Sequence, residues 1–255
     1  MQRTQQRQRQ TQRVSLRGSC RIVRDFFGHA LASILFQRGL YPEAYFTPTV
    51  QYGVRLVGIS DHELRDYVDG VLEQLELWLL SGHVKALILQ VTDRAGSRVV
   101  CPSPYPLYTQ TVKVRERWHF DVELDREIEA GIVESKTKSK SELRQEIQSL
   151  LRQITVAMSV LPLLQPSVPS SSSPTESAAP VSLTETPSHD HNTDTDCCEF
   201  ELLVHAADNV PVPLNWTDDA SGEQTSTEEL PLREFSTSVH TVQARVGFLP
   251  DPTVS

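Results

Sequence analysis

The chain has 255 residues, enough for one domain of about 200 residues with tails or for two small domains. Hydrophobic residues make up 38%, which predicts an adequate core together with some unstructured chain. The net charge is −9, and residues 1–24 hold seven Arg and no acid, so the remainder carries 17 basic against 33 acidic residues. So acidic a body is poorly suited to general nucleic-acid binding, which needs Lys and Arg against phosphate.

Residues 1–13, MQRTQQRQRQTQR, are Gln/Arg low complexity and read as a disordered tail. They lack the apolar stretch of a secretory signal. No apolar run nears 18 residues, so no membrane span is expected, and the default location is a reducing cytosol or nucleus. A long helix should follow, because Leu16, Val23, Phe26, Phe27, Ala30, Leu31, Ile34 and Leu35 share one helical face. Ser15 can cap its start, Gly39 can take the left-handed position at its end, and Pro42 lies just beyond.

A second helix is predicted from a Ser60–Glu63 capping box, with Leu64, Tyr67, Val68, Val71, Leu72, Leu75 and Leu79 as its stripe and Gly82 as its stop. Residues 84–92, VKALILQVT, read as a central strand buried on both faces. Residues 115–123 alternate: Trp118, Phe120 and Val122 point one way, and Arg117, His119, Asp121 and Glu123 the other, which predicts a half-buried strand. The connection between these strands is too long for a plain hairpin, and residues 99–112 read as an insertion at a loop tip.

A third helix begins near Ser139, with Glu142 completing a capping box. Leu143, Ile147, Leu150, Leu151, Ile154, Met158 and Leu161 form its stripe, and Pro162 stops it. Residues 165–196 have no aromatic side chain and read as a disordered linker. Order resumes at 199–205, EFELLVH, where Phe200, Leu202 and Val204 alternate with Glu199, Glu201 and Leu203. The tail, residues 206–255, carries short β-like stretches between Pro-bearing turns. This order predicts an α+β fold with helices packed on an antiparallel sheet.

Chemistry is scarce. No phosphate-cradling, nucleophile-elbow or zinc-ligand motif is present, and Gly is only 11 of 255 residues. The four Cys form no disulfide framework. His189, Asp190, His191, Asp194, Asp196, Cys197 and Cys198 could meet a metal, but at the end of a flexible linker they read as a polar tether. Trp78 and Trp118 read as core anchors rather than binding hot spots. Arg152 is either a solvated charge on the polar stripe or an interface residue. Neither a cofactor nor a metal is expected, and the residues alone reach a binding module, with an enzyme lacking recognisable motifs, such as a hydrolase, as the alternative.

Six blocks in colinear order then carry a resemblance: SLRGSCRIVRDFFGHALASILFQRGLYP (15–42), GVLEQLELWLL (70–80), ERWHFDVE (116–123), QEIQSLLRQITVAMSVLPLL (145–164), FELLVH (200–205) and LREFSTSVHTV (232–242). Over residues 14–250 the chain resembles the HORMA-domain checkpoint proteins of the mitotic-arrest-deficient family. Residues 1–13, about 99–112 and about 165–196 are additions to that pattern.

The resemblance implies a HORMA domain, with three main helices on a mainly antiparallel sheet and a mobile, β-rich C-terminal safety belt over 206–255. It implies an adaptor that switches between open and closed forms and delays anaphase from the nucleus, kinetochore and cytoplasm. Its expected partners are a peptide of the anaphase-promoting complex co-activator, the coiled-coil kinetochore scaffold, and a second copy in the other conformer. The resemblance makes Glu199, Phe200, Glu201, Leu202, Leu203, Val204 and His205 the peptide-binding edge strand. Arg152 and Gln153 become dimerisation residues. Phe235, Val239, His240, Val242 and Phe248 fall in the belt. Other HORMA adaptors, such as a translesion-polymerase accessory subunit or a meiotic axis protein, remain the alternative within the family.

Overall fold

In the computed structural model the described residues are 15–93, 97–98, 110–111, 114–125, 138–164, 198–207, 210–213, 216 and 228–250. The tail at 1–13 and the linker at 165–196 lie outside them, as does most of 99–112.

Helix α1 spans Leu16–Gln37. Ser15 caps it by accepting from the Gly18 amide, and the chain leaves through Gly39 at φ 63°. Its apolar face is fully buried and supplies Phe26, Phe27, Leu31, Ile34 and Leu35 to the core. A hairpin follows that the periodicity reading missed: β1 (Phe46–Gln51) pairs with β2 (Val54–Ile59). Its signal was the Tyr52-Gly53 pair, both at positive φ, as a two-residue turn requires.

Helix α2 spans His62–Leu80. Its cap is Asp61, which accepts from the Leu64 amide, and not the expected Ser60–Glu63 box. Asp precedes the helix by one residue and has the shorter reach to that N–H. The helix ends at Gly82, φ 68°, where an added Cβ would lie 2.7 Å from the Leu124 side chain. Tyr67, expected on the buried stripe, is 46% exposed. Helix α3 spans Lys140–Ala157 and starts with the expected Ser139–Glu142 capping box.

The main sheet contains β3 (Val84–Asp93), β6 (Val114–Leu124), β7 (Cys198–Ala206), β8 (Glu228–Ser236) and β9 (His240–Phe248). Two-residue strands β4 (Ser97–Arg98) and β5 (Gln110–Thr111) pair with each other between β3 and β6. The order across the sheet is β7-β3-β6-β9-β8, with every pairing antiparallel. Strand β3 is therefore an interior strand, between β7 and β6, though β6 holds the middle of the sheet, and Leu87, Ile88, Leu89 and Val91 are fully buried on its two faces.

One face of the sheet packs on the helices. Register places Leu89, Trp118, Leu202 and Val246 in one row on that face. Trp118 is fully buried, and Phe26 packs edge-on to Phe120 and Phe235 at 6.0 and 4.8 Å. Each such side chain contributes about 1.5–3 kcal/mol by leaving water. The second face is not the polar, open surface predicted for β6: Arg117 is 4% exposed and His119 8%. The alternation was read correctly, but alternation reports which face a residue takes and not how well that face is covered. None of the helices among the described residues is long and apolar enough to cross a membrane.

Candidate functional site

Strand β7 lies at one end of the sheet order, with β3 as its strand neighbour. Its Cys198, Phe200, Leu202 and Val204 take the helix side, and Glu199, Glu201, Leu203 and His205 take the other, as the register with β3 requires. Phe200 sits between Tyr41 and Tyr67, each ring 5.8 Å away. Burial raises the Tyr67 pKa, and the Leu202 backbone meets its hydroxyl. On the second face Leu203 packs with Ala86 and Ile88, while Glu199, Glu201 and His205 are exposed. A strand added at this edge would thus meet aromatic side chains on one side and carboxylates on the other.

The chain leaves this edge and returns to the sheet at its opposite edge. Ala207 donates to the His83 carbonyl at 2.7 Å, and Trp216 packs edge-on against Trp78 at 5.0 Å. Trp78 is thus both the predicted core anchor, 6% exposed, and a seat for the connecting chain. The hairpin β8–β9 then joins β6 through pairs from Glu116–Phe248 to Leu124–His240. Ala206 and Glu228 stand on the two outermost strands, four strand spacings or roughly 19 Å apart across the sheet.

The predicted belt residues anchor that hairpin. Phe235, Val239, His240 and Val242 are buried, and Phe248 is half-buried. The expected short β-like stretches are two nine-residue strands, and β8 and β9 belong to the core, because Phe235, Val242 and Val246 fall on the helix side of the sheet. At the hairpin turn, the Thr237 hydroxyl accepts from the His240 and Val239 amides at 2.8 and 3.1 Å. Ser19 Oγ of α1 meets Thr237 Oγ1 at 2.6 Å and His240 Nδ1 at 2.7 Å. Burial pushes the His240 pKa down to about 4, so the ring is neutral here. Sequence inspection did not find this node, since its members lie more than 200 residues apart.

A second buried polar group joins α1, β6 and the chain after α3. Arg38 pairs with Glu116 and donates to the Pro162 carbonyl at 2.6 Å, and Trp118 Nε1 donates to Glu116 at 3.3 Å. Burial raises the Glu116 pKa, with Arg38 opposing.

Arg152 is exposed on α3, as expected, but its neighbour Gln153 is used within the chain: its Oε1 accepts from the Arg233 amide of β8 at 2.6 Å. Val156, one turn beyond Arg152, is 62% exposed. Of the metal-type cluster, Cys198 alone is described, and it is buried and not in a disulfide. No group of three or more metal-type side chains converges among the described residues.

The HORMA domain model matches residues 19–240. The chain is 34% identical over 237 residues to the mitotic spindle assembly checkpoint protein MAD2A of Dictyostelium discoideum, covering 92% of this chain and 93% of that protein. It is 31% identical to human MAD2A, with 93% of each chain covered. Among solved structures, a chain in the crystal structure of the mitotic checkpoint complex matches at 27% identity and a TM-score of 0.65, covering 91% of this chain and 99% of that one. Caenorhabditis elegans HTP-2 bound to the HIM-3 closure motif shares the fold at 13% identity and a TM-score of 0.59, over 92% of this chain and 93% of that one. The helices on one face, the antiparallel sheet and this coverage agree: the chain belongs to the HORMA-domain family, as a spindle checkpoint adaptor of the MAD2 kind.

Proposed function

We propose that this adaptor is a peptide clamp, with β7 as the edge that takes up a partner strand and the C-terminal segment 206–255, seated by its hairpin, as the belt that holds it. The observation that carries this is the placement of the tail: its hairpin is seated on β6, which leaves β7 at the sheet's end. An added strand satisfies backbone N–H and C=O groups along such an edge, and its side chains alternate between two faces of different chemistry. A peptide beneath a belt leaves only when the belt moves, so dissociation slows without a large interface. The partners this reading names are a peptide of the anaphase-promoting complex co-activator and one of the coiled-coil kinetochore scaffold. Open and closed copies pair through α3. Work at kinetochores, with pools in nucleus and cytoplasm, follows from that role.

Catalysis forms no part of this reading. The Ser19–His240 pair has the elements of a nucleophile and a base, but Ser19 is 0% and His240 2% exposed, and Ser19 is bonded to Thr237 as well. A substrate has no access to it.

The test is removal of residues 245–255, which deletes the β9 positions paired with Glu116 and Trp118. Dissociation from an immobilised synthetic co-activator peptide should become at least a hundredfold faster. Slow dissociation retained by the truncated chain refutes the belt. Mass spectrometry of purified complexes separates this from the other HORMA roles: recovery of a polymerase subunit or a meiotic axis protein, in place of the co-activator, overturns the assignment of partners.

A further inference from the structure

The sheet's two ends are finished differently. Strand β8, at the end opposite β7, is bordered by α3, whose polar side chains meet its backbone. Gln153 Oε1 accepts from the Arg233 amide at 2.6 Å. Glu146 Oε2 accepts from the Ser236 amide at 3.0 Å, and Ser149 Oγ accepts from the Arg233 guanidinium at 2.8 Å. Lys138 braces this end by donating to both Glu146 oxygens at 2.7 and 2.9 Å and to Ser236 Oγ at 2.7 Å.

Glu146, Ser149 and Gln153 stand at i, i+3 and i+7, so they form one stripe along the helix. At about 100° per residue this stripe lies between the buried stripe of Leu143, Ile147, Leu150 and Ile154 and the exposed one of Arg152 and Val156. On the opposite flank Gln148 donates to the Tyr52 and Gly53 carbonyls of the β1–β2 turn at 3.2 and 3.3 Å. The helix is therefore strapped between two hairpins by amide and carboxylate side chains. The Gln153 and Glu146 contacts to the Arg233 and Ser236 amides take the place that the next strand's carbonyls would fill.

We propose that α3 is a side-chain clasp for the C-terminal hairpin: Gln153 and Glu146 stand in for a missing strand, Ser149 holds the Arg233 side chain beside them, and together they set how readily β8–β9 leaves its seat. Only the consequence for peptide release rests on the clamp function proposed above. The contacts themselves stand without it.

Hydrogen–deuterium exchange on the full chain tests the clasp. Gln153→Ala should speed exchange of the 228–248 amides about tenfold, the effect of losing one acceptor to a backbone N–H. Exchange in β3 should not change. Gln153→Glu keeps an acceptor at the same reach and should restore protection. Unaltered exchange in the alanine variant overturns the clasp, as does failure of the glutamate variant to restore it, since that would mean packing and not the hydrogen bond is responsible. Peptide release is the separate arm. Dissociation of an immobilised synthetic co-activator peptide should also quicken about tenfold in Gln153→Ala. Faster exchange with unchanged dissociation supports the clasp and overturns the clamp reading instead.

Discussion

Replacing Thr237 by Val tests how the hairpin is held at its turn. The two side chains have nearly the same shape, so no cavity opens, and only the hydroxyl is lost. Thr237 is 6% exposed. Its oxygen accepts from the His240 and Val239 amides at 2.8 and 3.1 Å and meets Ser19 Oγ at 2.6 Å. Valine leaves two buried N–H groups without that acceptor and removes one of the Ser19 partners. An unmet buried donor costs about 1–3 kcal/mol, so the loss should be about 3 kcal/mol. That is a large share of the roughly 5–15 kcal/mol that holds a domain of this kind together. Urea unfolding followed by tryptophan fluorescence should show a lower midpoint at unchanged slope. Thr237→Ser, which keeps the hydroxyl, should recover most of the loss. A Thr237→Val change below about 0.5 kcal/mol would refute the reasoning, because it would mean that water or the backbone takes over the hydroxyl's bonds without cost.

Arg152→Ala should weaken pairing of open and closed copies by about 2 kcal/mol, as truncating an interface hot spot does, while peptide affinity stays the same. Sedimentation and peptide titration on the same variant check this, and undiminished pairing returns Arg152 to a solvated surface charge. Arg38→Ala should cost about 3–5 kcal/mol, since it strands the Glu116 carboxylate in the core. Denaturation with no loss of midpoint would contradict that account. Burial depresses the pKa of both His240 and His119, each to about 4, with Arg245 and Arg117 adding to the effect at His119. Both are neutral when folded and titrate near 6.5 when unfolded. Their contribution is therefore complete above pH 6.5 and is lost as pH falls toward 4, with up to two protons taken up on unfolding. His119→Gln should remove about half of that dependence, and an unchanged pH profile in the variant would count against the assignment. Replacing residues 165–196 with a short Gly/Ser connection should leave the thermal midpoint nearly unchanged, because this stretch has little apolar surface to offset its ordering entropy. A large drop would show that it is structural.

What the sequence determined by itself were the features with a local cause. Apolar spacing and end signals located α1 and the start of α3 to within a residue or so, because Ser15, Gly39 and the Ser139–Glu142 box act on the backbone next to them, whereas α3 ends at Ala157, short of Leu161 and the expected stop at Pro162. The branched run at 84–92 identified β3 as an interior strand buried on both faces, and alternation in 115–123 and 199–205 assigned faces correctly. The Arg-Gln-Ile-Thr block and the other five matched the family before any fold was known. Tertiary structure decided the rest. Alternation could not tell that Arg117 and His119 would be covered, since cover comes from elsewhere in the fold. Periodicity could not tell that Gln153 would serve β8 while Arg152 beside it faced out, since their difference is about 100° around one helix. Nor could it place the tail. Strands β8 and β9 can pair with any complementary edge, and the choice of β6 over β7 depends on Phe235, Val242 and Val246 finding Phe26 and Trp118, and on Thr237 and His240 finding Ser19. Those contacts join positions some 200 residues apart in the chain, a separation at which local pattern has no information and only the packed core does.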